Sequence, residues 1–195
     1  MIDREDIQAL FGDLLDQMED ASLRDAVVSS WVDGCREGNW ESVDQLREMP
    51  FTLLTDTHGI DFLQHTLAVT EGAMGLALAQ VAWCPDLPYT VNLDYVIAGG
   101  LLHDVGKLLE IERDGAGGYR KSYAGHCARH PISGAIVAAR NGVPQEVLNI
   151  IACHSKEGAG RPKRVETVLV HQADFGTFDP LILLNKGDLI GEGSG

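Results

Sequence analysis

The stretch GGLLHDVGKLL, residues 99–109, places a His-Asp pair inside a largely apolar segment that begins at Tyr95. His103 and Asp104 together offer one imidazole nitrogen and two carboxylate oxygens, a ligand set that suits iron, manganese, zinc or cobalt. Ionisable side chains in an apolar segment must be paired or bound to something, because burying a lone charge is costly. A His-Asp dipeptide alone would be uninformative, but these flanks make it a candidate metal site in which Asp104 can bridge two ions.

Around this stretch the hydrophobic pattern is helical almost throughout. Apolar residues recur at spacings of three and four, as on the buried face of an α-helix, and no stretch alternates with the period of a strand. The predicted fold class is therefore all-α: a helical bundle over residues 51–195, preceded by a helical extension over residues 1–50. We expect the extension to pack on the bundle rather than to serve a partner. The predicted helical segments cover residues 3–31, 40–49, 61–83, 93–110, 127–140, 144–154 and 165–175.

Composition and charge narrow the class of protein. The chain has 195 residues, enough for one well-buried domain, and 45% of them are hydrophobic. Its net charge of −14 argues against broad binding to nucleic acid or to an anionic membrane, both of which need an excess of Lys and Arg. A small phosphorylated substrate is compatible with this charge, because bound metal ions supply local positive charge. The four cysteines lack a CxxC and no apolar run approaches about 18 residues, which indicates a cytoplasmic protein with reduced thiols and no membrane span.

Further His and Asp residues recur at comparable points of successive predicted helices. They are His65, His130, His154 and Asp174, in addition to the pair at 103–104. A helix and a loop fit each interval between them, so a bundle can turn all of these side chains toward one centre. Imidazoles and carboxylates in this combination predict a site for divalent transition metals.

This ordered set resembles the HD superfamily of metal-dependent phosphohydrolases over about residues 60 to 180. The resemblance is carried by QHT at 64–66, LHDVGK at 102–107, HPISGA at 130–135, ACH at 152–154 and AD at 173–174. It implies an HD-domain bundle with a first metal ion held by His65, His103, Asp104 and Asp174. It also implies a second ion, bridged by Asp104 and held by His130 and His154. Iron and manganese are the expected metals, with cobalt and zinc as alternatives.

The implied activity is hydrolysis of a nucleotide or another phosphoester, in which a hydroxide on the metal ions attacks phosphorus. Asp104 and Lys107 are the predicted catalytic residues, and Lys107 is also predicted to contact a substrate phosphate as a point charge. A basic cluster that includes Lys156 and Arg161 is a second predicted phosphate contact in this acidic chain. The competing interpretations are a structural ion pair for Lys107 and a solvated loop for the basic cluster.

Part of the chain is similar to the HD branch that cleaves cyclic dinucleotides and carries a Gly-Tyr-Pro signature. The sequence has His154-Ser155-Lys156 where that branch has His-His-Glu, and Gly160-Arg161-Pro162 where it has the signature. One further ligand and the signature tyrosine are therefore missing. These departures argue against cleavage of cyclic dinucleotides.

Two other classes of protein stay open at this point. Some HD-fold enzymes with the same six ligands hold two irons and activate oxygen to cleave carbon bonds. A non-catalytic HD-like module would instead bind or sense a ligand. The sequence does not specify the substrate, the metal, whether one or two ions bind, or whether the chain forms a homo-oligomer.

Overall fold

Helices carry nearly all of the regular structure in the computed structural model, which describes residues 1–161 and 163–191. In chain order they are α1 (Arg4–Leu15), α2 (Ala21–Glu37), α3 (Val43–Glu48), α4 (Phe62–Trp83), α5 (Leu93–Leu102), α6 (Lys107–Glu110), α7 (Tyr123–Cys127), α8 (His130–Arg140), α9 (Gln145–Cys153) and α10 (Val165–Lys186). Strands β1 (Ile111–Arg113) and β2 (Tyr119–Lys121) form an antiparallel hairpin between α6 and α7, and Lys156–Gly158 form a 3₁₀ turn. The predicted all-α fold class is confirmed.

The start of α4 is fixed by a capping box. The Asp61 carboxylate accepts the backbone N–H of Gln64 at 2.8 Å, and the Gln64 side chain accepts the backbone N–H of Asp61 at 3.1 Å. These two bonds satisfy backbone donors that the first turn of a helix leaves free. They also fix where the helix begins, which sets His65 one turn into α4.

The N-terminal helices share one hydrophobic core with the helix that carries the His-Asp pair. Phe11 of α1 and Trp31 of α2 are buried and lie with their ring centres 4.8 Å apart. Trp31 also donates its indole N–H to the carbonyl oxygen of Leu101 in α5, at 2.9 Å. Residues 1–50 therefore pack directly on the bundle, while a domain boundary at residue 50 stays a prediction.

Two glycines let α5 lie unusually close to its neighbours. A Cβ on Gly99 would lie 2.4 Å from Cδ1 of Ile150 in α9, and one on Gly100 would lie 2.8 Å from Cα of Thr70 in α4. Contacts this short exclude any larger side chain unless a neighbour moves. The glycine pair therefore brings α4, α5 and α9 together, and each of these helices delivers a histidine to the same region.

The structure corrects several predicted element boundaries. The segment predicted as one helix over 93–110 breaks at the turn 103–106, and the helix predicted over 127–140 begins only at His130. Helix α10 continues past Phe175 to Lys186 and contains Pro180. The hairpin of β1 and β2 was not predicted, because strands of three residues are too short to show an alternating pattern.

Two sequence expectations concern cysteines and membranes. Cys35, Cys84, Cys127 and Cys153 form no disulfide, and burial raises the pKa of the Cys35 thiol to about 12. Over the described part of the chain, no helix combines the length and the apolar composition that crossing a membrane requires.

Candidate metal centre

The carboxylate of Asp104 lies at the centre of the bundle, and its two oxygens face different pairs of histidines. Oδ2 lies 3.4 Å from Nε2 of His65 and 3.3 Å from Nε2 of His103. Oδ1 lies 3.3 Å from Nε2 of His130 and 3.6 Å from Nε2 of His154. All five side chains are buried. The side chains thus form two three-membered clusters that share Asp104.

Asp174 reaches the centre from α10, on the side of His65. Its Oδ1 lies 3.3 Å from Nε2 of His65. Burial alone raises the pKa of Asp174, but its close approach to His65 and His103 lowers the pKa by more, so it falls to about 2. An ionised carboxylate therefore lies beside the first histidine pair, as the predicted ligand set requires.

His103 and His154 use the same local geometry. Each lies at the C-terminal cap of a helix, α5 or α9, and each ring Nδ1 faces the carbonyl oxygen three residues earlier, Gly100 at 2.6 Å and Ile151 at 2.9 Å. A carbonyl oxygen only accepts hydrogen bonds, so the proton must sit on Nδ1. The Nε2 atom of each ring is then left with a lone pair that points to Asp104. A further histidine, His171, donates its Nδ1 proton to the carbonyl oxygen of His154 and supports the end of α9.

His130 is oriented by Glu110, a residue that the sequence analysis did not single out. One oxygen of Glu110, Oε2, accepts both the backbone N–H of His130 at 2.7 Å and its ring Nδ1 proton at 2.8 Å. Burial alone would raise the pKa of Glu110. The bonds to His130 and the charges around Glu110 have the larger effect and lower this pKa to about 2. Carboxylates commonly orient metal-binding imidazoles in this way and fix their tautomer.

His65 is oriented through a short hydrogen-bonded chain. The Thr177 hydroxyl lies 3.2 Å from Nδ1 of His65 and donates its own proton to the carbonyl oxygen of Asp174 at 2.9 Å. The hydroxyl oxygen must then accept the Nδ1 proton of His65. As in the other three histidines, the tautomer leaves Nε2 free to act as a ligand atom.

The donor set fits divalent metal ions. Four imidazole nitrogens with lone pairs and two carboxylates converge in a buried space, where uncompensated acceptors are costly. One of these atoms, Nε2 of His154, is buried without a hydrogen-bond partner among the described residues. Nitrogen and oxygen ligands in this mixture suit iron, manganese, cobalt or zinc. The residues that would hold such ions are the six predicted ligands: His65, His103, Asp104, His130, His154 and Asp174.

Lys107 is the cation nearest the shared carboxylate. Its Nζ lies 2.5 Å from Oδ2 of Asp104 and 5.6 Å from the centre of the Phe51 ring. Burial raises the pKa of Asp104, but Lys107, His103 and His130 lower it to well below its usual range. The structural ion pair considered from the sequence is therefore present, and contact of Lys107 with substrate stays a prediction.

A cleft of about 470 Å³ opens above the shared carboxylate. One part of its wall is apolar and includes Leu53, Leu54, Phe175 and Phe178. Phe178 packs edge-on against Phe51, which in turn stacks on His65, so this wall belongs to the His65 side of the centre. The basic residues that line the cleft are Lys107, Lys121, Arg129 and Lys156.

The two predicted phosphate contacts of the basic cluster, Lys156 and Arg161, lie in different places relative to the cleft. Lys156 lines the cleft, whereas Arg161 is exposed and is not among the cleft residues, so its contact with substrate stays a prediction. Pro162, which completes the position compared with the Gly-Tyr-Pro signature, lies outside the described residues.

Sequence reasoning missed Lys121 and Arg129, since neither belongs to a recognisable motif. For Glu110 a signal did exist, because it is a lone acid within the apolar run 108–111.

Comparison with known proteins gives one family. The family model of the HD domain matches residues 62–175 of this chain. Ribonuclease Y of Thermosipho melanesiensis is 30% identical over 118 residues, which cover 60% of this chain and 18% of the relative. Dihydroneopterin 2′,3′-cyclic phosphate phosphodiesterase of Methanocaldococcus jannaschii is 32% identical over 115 residues, which cover 57% of this chain and 44% of the relative.

A third similar protein, ribonuclease Y of Fervidobacterium nodosum, is 28% identical over 151 residues, which cover 77% of this chain and 23% of the relative. The chain thus spans less than half the length of each of these relatives. No solved structure gives a significant match.

Proposed function

The chain belongs to the HD-domain family, and from this premise we propose that it is a metal-dependent phosphohydrolase with a two-metal centre that acts on phosphodiesters. The single observation that carries the proposal is the orientation of Asp104, whose two carboxylate oxygens each face a separate pair of histidine Nε2 atoms. A site for one ion would need only the pair on the His65 side. The second pair, His130 and His154, has its own orienting groups in Glu110 and the carbonyl of Ile151.

The charges of the cleft support an anionic substrate that binds together with metal ions. Four basic side chains line the cleft, and they are balanced by the four acidic side chains Asp104, Glu110, Glu157 and Asp174. Two divalent cations would add four positive charges to this balanced set. In a chain of net charge −14, attraction of a phosphate to this cleft would therefore depend on the metal ions.

The residues around the centre have separate roles in this proposal. Bound ions of this kind make a coordinated water acidic and offset the charge that develops on phosphoryl oxygens. Asp104 and the histidines, all of them buried, would fix the positions of these ions. Lys107 offers its ammonium group at the floor of the cleft, beside Asp104, where a phosphoryl oxygen would lie.

Hydrolysis is favoured over oxygen activation by the names of the relatives. A ribonuclease and a cyclic phosphate phosphodiesterase both act on phosphodiester bonds, and the two relatives with these names match this chain over 118 and 115 residues. The choice of diesters rather than monoesters rests on the same two names. Iron and manganese are the metals we propose for the site, because imidazole and carboxylate ligands suit both.

The test is hydrolysis of bis(p-nitrophenyl) phosphate by the purified protein loaded with Mn²⁺ or Fe²⁺. The proposal expects turnover that a chelator abolishes, that added metal restores, and that Asp104→Asn lowers by at least about 100-fold, since this change removes the shared charge. Equal rates with and without oxygen are also expected. Metal-loaded, folded protein that hydrolyses no phosphodiester would contradict the proposal and favour a ligand-binding module. Oxygen-dependent turnover of a carbon substrate would favour the oxygenase.

A further inference from the structure

We propose that Lys121, Arg129 and Lys156 form a second anion-binding subsite, which holds a non-scissile phosphate of the substrate beside the His130 side of the metal centre. This inference rests on the proposed function, because it assigns the substrate class: a phosphodiester that carries a further phosphate group. None of the HD motifs matched in the sequence contains Lys121 or Arg129, so this pair of cations comes from the fold of this chain.

The three cations line the same cleft and come from three separate places in the fold. Lys121 is the last residue of β2, Arg129 precedes α8, and Lys156 begins the 3₁₀ turn after α9. Lys121 Nζ lies 3.3 Å and Arg129 Nε 3.0 Å from the same oxygen of Glu110, Oε1. Successive side chains of a strand point to opposite faces, so β2 directs Lys121 into the cleft while its neighbour Arg120 pairs with Glu112 outside it.

The carboxylates present do not neutralise these cations. Glu110 carries one negative charge, and its second oxygen is already used by His130. Glu157 lies 3.8 Å from Arg129, beyond hydrogen-bond distance, and accepts a hydrogen bond from Ser155. Lys156 makes no ion pair within residues 1–161 and 163–191. Three cations therefore face two carboxylates, and N–H donors are left over on a surface that lines the cleft.

The position of the subsite relative to the metal centre defines the substrate. Glu110 connects the two places, since Oε2 binds the ring of His130 and Oε1 binds Lys121 and Arg129. The apolar wall lies on the other side of the centre, next to His65. A diester bound over Asp104 would thus direct its apolar part to this wall and a further phosphate to the three cations.

The test compares the affinities of two hydrolysis-resistant ligands for the manganese-loaded protein by calorimetry. The ligands are adenylyl-(3′→5′)-adenosine with a phosphorothioate bridge, with and without a 5′-phosphate. Wild-type protein should bind the 5′-phosphorylated ligand at least about tenfold more tightly, because charge-assisted hydrogen bonds to phosphate contribute this much. The double variant Lys121→Gln/Arg129→Gln should reduce the ratio of the two affinities toward one. Lys156→Gln, which does not touch Glu110, should reduce the ratio partly.

Arg120→Gln is the matched control, because Arg120 is the strand neighbour of Lys121 and lies outside the cleft; it should leave the ratio unchanged. Metal content is measured for every variant, so that loss of an ion is not mistaken for loss of the subsite. Equal affinities of the two ligands for wild-type protein, or an unchanged ratio in the metal-loaded double variant and in Lys156→Gln, would overturn the subsite. The bis(p-nitrophenyl) phosphate assay decides the proposed function separately, because that substrate carries no further phosphate.

Discussion

Gly106 and His130 approach each other so closely that a Cβ on Gly106 would lie 2.1 Å from the carbonyl oxygen of His130. The same Cβ would lie 2.6 Å from the backbone nitrogen of Gly134, one turn further along α8. The backbone of Gly106 has φ −67° and ψ −15°, which any residue adopts, so space rather than conformation requires glycine. This contact holds the turn after Asp104 against the first turn of α8, where His130 faces Asp104.

Replacing this glycine should damage both stability and metal binding. Gly106→Ala forces two backbone segments apart, and we expect a loss of about 3 kcal/mol in the free energy of unfolding together with weaker binding of the second metal ion. The control is Gly75→Ala in α4, where a Cβ meets no atom within 4 Å, and which should stabilise the protein by up to about 1 kcal/mol. Urea unfolding of the metal-free proteins measures the stability of the two variants, and equal effects on stability would contradict the steric explanation.

Glu110→Gln should weaken the second metal position and spare the first. The change removes the charge that holds His130 in its tautomer through two hydrogen bonds to Oε2. Loss of such an orienting partner commonly reduces metal affinity by about 10- to 100-fold. The first position should keep its ion, because His65 and His103 are oriented by other groups. Metal titration of the apo-protein checks this, and Glu112→Gln, on the outer face of the hairpin, should behave like wild type.

Trp31→Phe tests how firmly the N-terminal helices are joined to the bundle. The change removes the buried hydrogen bond to the carbonyl oxygen of Leu101 and leaves a space beside Phe62. We expect a loss of about 2 to 4 kcal/mol in the free energy of unfolding, from the unsatisfied carbonyl and the cavity together. Trp83→Phe is the control, since Trp83 is 85% exposed and should change stability by less than about 0.5 kcal/mol. Similar losses in the two variants would contradict the inferred role of Trp31.

The stability of the metal-free protein should fall as the pH drops below 6.5. Burial lowers the pKa of His130 below its ordinary value of 6.5, and the opposing influence of Asp104 and Glu110 is smaller. The unfolded chain then binds more protons than the folded chain below pH 6.5, so folding is progressively disfavoured. Urea unfolding between pH 7.5 and about 5 should show a smaller pH dependence for His130→Gln than for wild type. His126→Gln, which removes a histidine outside the centre, is the matched control.

Much of the fold and the candidate ligand set could be predicted because each depends on a local pattern. Helical spacing of apolar residues indicates α4 and α9, and the order of His and Asp residues in the HD motifs indicates which side chains converge. The break of the predicted helix at 103–106 could not be read from the pattern, because Leu101, Val105 and Leu108 keep the helical spacing across the turn, and the turn is fixed by the approach of α8 to Gly106.

The groups that orient the ligand histidines could not be predicted from the sequence, for a different reason. Thr177 contacts His65 across 112 residues of chain, and Glu110 contacts His130 across 20. Neither spacing belongs to a helix or strand period, so only the packed structure reveals these pairs. The position of Lys121 in the cleft could not be predicted either, because the direction of its side chain depends on a hairpin of three-residue strands.

The most direct test of the central claim is the metal content per chain of protein purified without added metal, measured for wild type and for His130→Ala. The two clusters that share Asp104 predict close to two ions per wild-type chain and close to one in the variant, because the His65 side keeps its ligands. About one ion per chain in both proteins would contradict the two-metal centre.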